Sequence, residues 1–139
     1  MSLLVDANIL SEVLRPKPDQ RVVDFLANTP VSEQFLSVLT IGEIRFGVES
    51  LPAGKRRDRL QIWLENDLLV TMAGQILPLT LGVAERWALL NAQAGRTLPA
   101  IDSLIAATAL HHDFDLVTRN TKDFANLGLR LVDPFAAVP

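Results

Sequence analysis

The sequence predicts an α/β fold in which helices cover both faces of a parallel sheet. Three observations predict it. Short apolar runs of strand length alternate with longer segments of helical periodicity. The first run, Leu3-Leu4-Val5, is apolar throughout, as a strand covered on both faces is. One late segment, Ala100 to His111, is apolar nearly all round, so a helix there must be buried.

The elements follow in order. Leu3 to Val5 is the first strand, ended by Asp6. A helical pattern runs from Ala7 to Leu14 and is stopped by Arg15-Pro16-Lys17-Pro18. Asp19 caps a second helix carrying Arg21, Val22, Val23, Phe25 and Leu26. Gln34 to Val38 alternates as the second strand, and Thr40 opens a helix with Ile41, Ile44, Phe46 and Val48. From about Gly54 to Val70 a helix places Leu60, Trp63, Leu64 and Leu68 on one face. Ile76 to Leu79 is a short strand, and the helix from Leu81 to Ala94 ends near Gly95. Pro99 starts the apolar helix. Leu116 to Thr118 and Leu129 to Val132 are the last strands.

Length and composition bound the function. Residues 1–139 are the size of one domain, long enough to build a core without staples, and no repeat or linker divides them. The absence of cysteine excludes disulfides, thiolate chemistry and Cys-ligated zinc. Asp6 interrupts the first apolar run and no basic region precedes it, so no signal peptide is expected. No apolar stretch approaches the roughly 18 residues of a membrane span. A reducing, cytoplasmic setting without a membrane partner is expected. The 49% hydrophobic content and mean hydropathy of +0.25 fit either a helix-rich core or a buried partner surface. A net charge of −3 is unusual for a nucleic-acid binder. Lys55, Arg56, Arg57 and Arg59 form a basic cluster, read first as a solvated helical turn. A carboxylate site loaded with cations is also locally positive.

In parallel sheets ligands sit beyond the carboxyl ends of the strands, which directs attention to Asp6 and to Thr118-Arg119-Asn120. Asp6 alone reads as a helix cap; Asn8 either points to the same side or orients that carboxylate. Thr40-Ile41-Gly42-Glu43 fits a capping box, a reading compatible with Glu43 projecting over the end of the sheet. Asp102 is the most informative acid. A charge entering an apolar helix costs several kcal/mol unless paired or bound to a cation, and the helix dipole returns only about 0.3–1 kcal/mol. Thr118-Arg119-Asn120-Thr121-Lys122-Asp123-Phe124 offers hydroxyl, amide and carboxylate groups in one loop. The plain alternative there is a turn and a short helix capped by Asn120 or Thr121. Three separated acids without an obligate basic partner point to a cation, and oxygen ligands select Mg²⁺ or Mn²⁺. Such ions serve phosphodiester hydrolysis.

Other constellations are weak. No G-x-S-x-G or G-x-G-x-x-G occurs. Gly42 and Gly47 have P-loop spacing, but Val48 stands at the lysine position. His111 and His112 are adjacent near a helix end, where they are expected to complement its dipole.

Four motifs are recognisable together: Leu4-Val5-Asp6-Ala7-Asn8-Ile9-Leu10, Thr40-Ile41-Gly42-Glu43-Ile44-Arg45-Phe46-Gly47, Asp102-Ser103-Leu104-Ile105-Ala106-Ala107-Thr108-Ala109, and the loop from Thr118 to Phe124. They resemble the PIN-domain toxins of the VapC family. The Ser11-Glu12 and Arg15-Pro16 segment resembles the FitB-like branch. The resemblance covers essentially the whole chain; each motif is weak alone, and four in order are specific.

The resemblance implies a single PIN domain, a three-layer α/β/α sandwich around about five parallel strands. It implies an Mg²⁺-dependent endoribonuclease, with Mn²⁺ able to substitute, acting as the toxin of a type II toxin–antitoxin pair. The family's metal ligands fall on Asp6, Glu43 and Asp102, and its supporting hydroxyl on Thr118. Its fourth acidic position falls on Asn120, where many members carry Asp. That departure adds no charge, so a second metal is not implied, and Asp123 either substitutes or braces the loop. The resemblance further implies a homodimer and a small VapB-like antitoxin in a hetero-oligomer, with the helices around Trp63 and Trp87 as candidate surfaces. RNA as substrate, in place of DNA, rests on the family alone. A catalytically weak module that binds nucleic acid or a partner stays open. A phosphatase of the haloacid-dehalogenase type would need a second acid where Asn8 stands.

Overall fold

Side-chain alternation along two short strands separates the core into two halves. The computed structural model describes residues 1–136. In it β1 (Leu3–Val5), β2 (Gln34–Ser37), β3 (Ile76–Leu77), β4 (Asp115–Val117) and β5 (Leu131–Val132) form one sheet in the order β3-β2-β1-β4-β5. Every pairing is parallel. β1 and β4 lie in the middle and are wholly buried, which is why β1 reads as an unbroken apolar run. Leu3, Val5 and Val117 point into one half of the core, and Leu4 and Leu116 into the other.

The first half is closed by α1 (Ala7–Val13), α2 (Gln20–Ala27) and α3 (Val38–Glu49), and by a long helical segment. That segment begins as α4 (Lys55–Ile62), widens into a π-helical stretch at Trp63–Leu68 and ends as α5 (Leu69–Thr71). Ile9, Val22, Ile44, Leu64 and Met72 fill this half. α6 (Leu81–Gln93) and α7 (Ala100–His112) close the other, through Leu90, Ile105, Ala106 and Ala109. The helices of that pair approach closely at Gly82, where an added Cβ would collide with the His111 ring. The result is the expected three-layer α/β/α sandwich on five parallel strands. Among the described residues no helix is long and apolar enough to cross a membrane.

Several local expectations give way. The second strand ends at Ser37, whose hydroxyl caps α3 by accepting the Leu39 N–H at 3.1 Å. Thr40 is therefore already inside the first turn and buried, and the Thr40–Glu43 capping box does not form. Glu43 is left without a capping task. The loop after β4 turns without forming the short helix, Asn120 accepting the Asp123 N–H through its backbone at 3.0 Å. Both histidines lie in the last turn of α7 as expected, and burial, then the neighbouring His111, hold the His112 pKa below the ordinary imidazole value, which weakens its share in complementing the dipole.

Candidate active site

Parallel strands place all their carboxyl ends on one edge. From β1 the chain winds outward to β2 and β3, then crosses to β4 on the other side of β1. The crevice at that reversal lies between β1 and β4. Asp6 is the first residue beyond β1, and Thr118 the first beyond β4. The Asp6 N–H donates to the Val117 carbonyl at 2.9 Å, which extends the ladder to the mouth of the crevice.

The side chains there are tightly joined. Asp6 caps α1, its Oδ1 accepting the Ala7 N–H at 2.8 Å. Thr118 donates its hydroxyl to Asp6 Oδ2 at 2.8 Å and accepts the Asn120 N–H at 3.1 Å. Asn8 Nδ2 lies 3.3 Å from both Asp6 Oδ2 and Thr118 Oγ1, while Asn8 Oδ1 accepts the Arg119 N–H at 3.2 Å. Capping thus occupies one oxygen of Asp6, and a fixed hydroxyl aims the other.

Asp6 is only 5% exposed. Among the described ion pairs none involves Asp6, Glu43 or Asp102. Burial raises the Asp6 pKa above the usual carboxylate value, against the lowering effect of the Thr118 and Ala7 hydrogen bonds. α3 leaves the end of β2 and carries Glu43 in its second turn. α7 leads back to the start of β4, so its first turn, with Asp102, lies at the carboxyl edge. Burial raises the Glu43 pKa, and the charges of Asp6 and Asp102 add to this. Burial likewise raises Asp102, with Asp6 and Asp123 adding. Four carboxylates therefore share one field. Asp102 is half-buried, because α7 is covered between Ser103 and Leu110 while Ala100 and Ile101 before it are exposed. The cost of its charge is smaller than an all-round apolar helix implied. Asn120 contributes its backbone, and its side chain is exposed.

Among the described residues no three His, Asp or Glu side chains close around one ion. The donor set nonetheless fits a hard cation of the Mg²⁺ type, which keeps several waters and takes one or two carboxylates. Asp6 supplies a buried, fixed and cation-free oxygen for it. Glu43 also lines two cavities flanking α3. One, of about 190 Å³, is shared with Ser11 and Arg56; the other, of about 370 Å³, with Phe46 and Ile101. Of the basic cluster, Arg57 pairs with Glu49 at 2.7 Å, so only part of it is a free solvated turn.

Glu12, singled out in the sequence only as part of a family segment, has a structural role that was not assigned to it. It stands one turn beyond Asn8 on α1 and is buried. It accepts the Asp19 N–H at 3.0 Å and meets Arg15 at 3.4 Å and Arg119 at 4.0 Å. The four-residue spacing from Asn8, on the same helical face, was the available signal.

The family model described as PIN domain matches residues 3–129. The VapC ribonuclease Y4jK of Sinorhizobium fredii is 37% identical over 136 residues, 96% of this chain and 97% of that protein. The toxin FitB of Neisseria gonorrhoeae is also 37% identical, over 96% of this chain and 98% of its own. The crystal structure of FitAcB from that bacterium superposes with a TM-score of 0.91 at 36% identity, covering 97% of this chain and 99% of the other. A toxin–antitoxin complex from Klebsiella pneumoniae matches with a TM-score of 0.73 at 28% identity, over 98% of this chain and all of that one.

Proposed function

The chain belongs to the PIN-domain family, and from that premise we propose that it is a metal-dependent endoribonuclease acting as the toxin of a VapBC-like pair. One observation carries the chemistry: Asp6 is buried without a cation and fixed by the Thr118 hydroxyl at 2.8 Å, beside Glu43 and Asp102. The similarity to a VapC ribonuclease and to the toxin FitB supports the substrate and the biological role.

In this reading Asp6 and Asp102 would hold Mg²⁺, in part through the waters it keeps, and Mn²⁺ could replace it. The ion, when bound, supplies an activated water and neutralises charge on the phosphodiester. The protein's own groups set the geometry. Thr118 and Asn8 keep Asp6 Oδ2 turned toward the crevice. Glu43, on the exposed side of α3, is placed to hold the ion or to orient the attacking water. Asp102 brings its carboxylate to the cleft from the first turn of α7, where the helix dipole favours the charged form. Asn120 stabilises the loop through Thr118, and Asp123 adds charge beside Asp102.

Residues 1–139 form one PIN unit, working in the cytoplasm as a homodimer held in check by a small VapB-like antitoxin. The neutral, exposed Asn120 favours a second reading, a weakly catalytic module that binds RNA without cutting it. Cleavage of labelled single-stranded RNA by antitoxin-free protein separates the two. We expect cutting with Mg²⁺ and none with EDTA or in Asp6→Asn. Metal-independent cutting, or full activity in Asp6→Asn, would overturn the assignment.

A further inference from the structure

The acid edge repels the polyanion it is proposed to cut, and the chain as a whole carries −3. Beside that edge lies a cavity of about 450 Å³ of opposite character, between the Pro-rich turn after α1 and the loop after β4. We propose that this cavity is a phosphodiester-binding subsite, in which Arg119, Arg15 and Lys17 hold the RNA backbone next to the bond being cleaved. The inference rests on the ribonuclease reading above.

The charge balance supports it. Arg15, Lys17, Arg21 and Arg119 face only Glu12 and Asp19 in the lining, four cations against two anions. Arg21 is committed to Asp19, at 2.7 and 3.0 Å, and these bonds hold the Asp19 pKa down at about 2. Asp133 also acts on Arg21. Glu12 is shared between Arg15 and Arg119. Lys17 has no partner among the described ion pairs.

The geometry is prepared as well. Arg119 is stacked over the Phe135 ring, 4.4 Å from its centroid, and is anchored at 4.0 Å by the buried Glu12 carboxylate. Its side chain remains 57% exposed, so a guanidinium fork supported on one face by the ring is presented to solvent. Such a fork matches a phosphate bidentately, with little entropy left to lose on binding. The subsite is also tied to the acid edge. Arg119 directly follows Thr118, and its N–H bonds to Asn8. Asn8 and Glu12 sit one turn apart on α1, so a single helix face positions both the acids and the cations. An acidic protein segment also suits guanidinium groups; continuity with the phosphodiester-cutting edge favours RNA.

The test uses the full chain in EDTA, where no cleavage intervenes. Binding of a fluorescent, single-stranded 2′-O-methyl oligonucleotide is followed by anisotropy across a salt series. Arg119→Ala and Arg15→Ala should each weaken binding about tenfold, and each should flatten the log–log salt slope by about 0.7, one phosphate contact on a single strand. Arg86→Ala, on α6, should match the parent protein. Unchanged affinity and slope in both arginine variants, with thermal midpoints confirming folding, would overturn the proposal. So would loss of binding to polyglutamate alone. Failure of the ribonuclease reading shows separately, as absent Mg²⁺-dependent cleavage by the parent protein.

Discussion

Asp115 opens β4 and Asp6 follows β1, so two buried carboxylates stand at opposite ends of neighbouring strands. Their exposures are similar, 7% and 5%. Their treatment differs. Asp115 receives Arg130 Nε at 2.5 Å, and the same guanidinium reaches Asp113 at 3.0 Å. Among the described residues Asp6 receives only neutral donors, from Thr118, Ala7 and Asn8, and its charge acts on two other acids, Glu43 and Asp102. At the amino end the chain supplies its own cation, and the carboxylate serves the fold. At the carboxyl end it withholds one, and the uncompensated charge opposes folding. A site that tolerates this is poised for a cation from outside.

The comparison can be broken most severely at Asp6. Asp6→Asn keeps the shape and removes the charge. RNA cleavage should fall by about a hundredfold or more, while the thermal midpoint in EDTA stays level or rises. A loss of fold would show that Asp6 is structural after all. Next is Thr118→Val, which deletes the hydroxyl on Asp6 Oδ2 and should cost about ten- to a hundredfold in cleavage, as losses of ligand-orienting groups do. A wild-type rate would show that Asp6 needs no orientation. Asp115→Asn should do the reverse of Asp6→Asn. Stability falls by about 1 kcal/mol in denaturant titrations, at the low end for a charged hydrogen bond because Arg130 is exposed. Activity per folded molecule is unchanged.

The smallest effect is a pH dependence. Asp6, Glu43 and Asp102 all have raised pKa values in the folded state. Between the ordinary carboxylate range and those raised values the native state binds more protons than the unfolded one. Metal-free stability should therefore be greatest in acid with respect to these groups, and decline as pH rises through their folded pKa values. Asp6→Asn should shallow that decline, in urea midpoints measured across pH. A steeper decline in the variant would contradict the shared field.

Much of this contrast was legible in the sequence, for physical reasons. Leu3-Leu4-Val5 is apolar because β1 is central, so the polar residue ending it had to lie at an edge. Asp102 stood out against Ile101, Leu104 and Ile105 because a charge beside a buried helix needs a reason. What escaped depended on tertiary detail. Ser37 and Thr40 are equally good caps by composition, and only the length of β2 decides between them. The π-helical stretch leaves no mark in the apolar spacing of Trp63, Leu64 and Leu68. Glu12 carried no role of its own in the sequence, because its partner is the Asp19 N–H that the Pro-rich turn brings back onto it. Asp115 and Arg130 meet across two paired strands, a contact that no short-range pattern announces.

The claim that Asp6 is held charged for an external cation is tested most directly by thermal unfolding at neutral pH with increasing Mg²⁺. A ligand that binds only the folded state raises the midpoint, and above its dissociation constant the rise grows with the logarithm of ligand concentration. The midpoint of the parent protein should climb with the logarithm of Mg²⁺ concentration, and that of Asp6→Asn should climb little or not at all. An equal rise in both proteins would place the ion elsewhere, and no rise in either would leave the buried charge of Asp6 without the partner assigned to it.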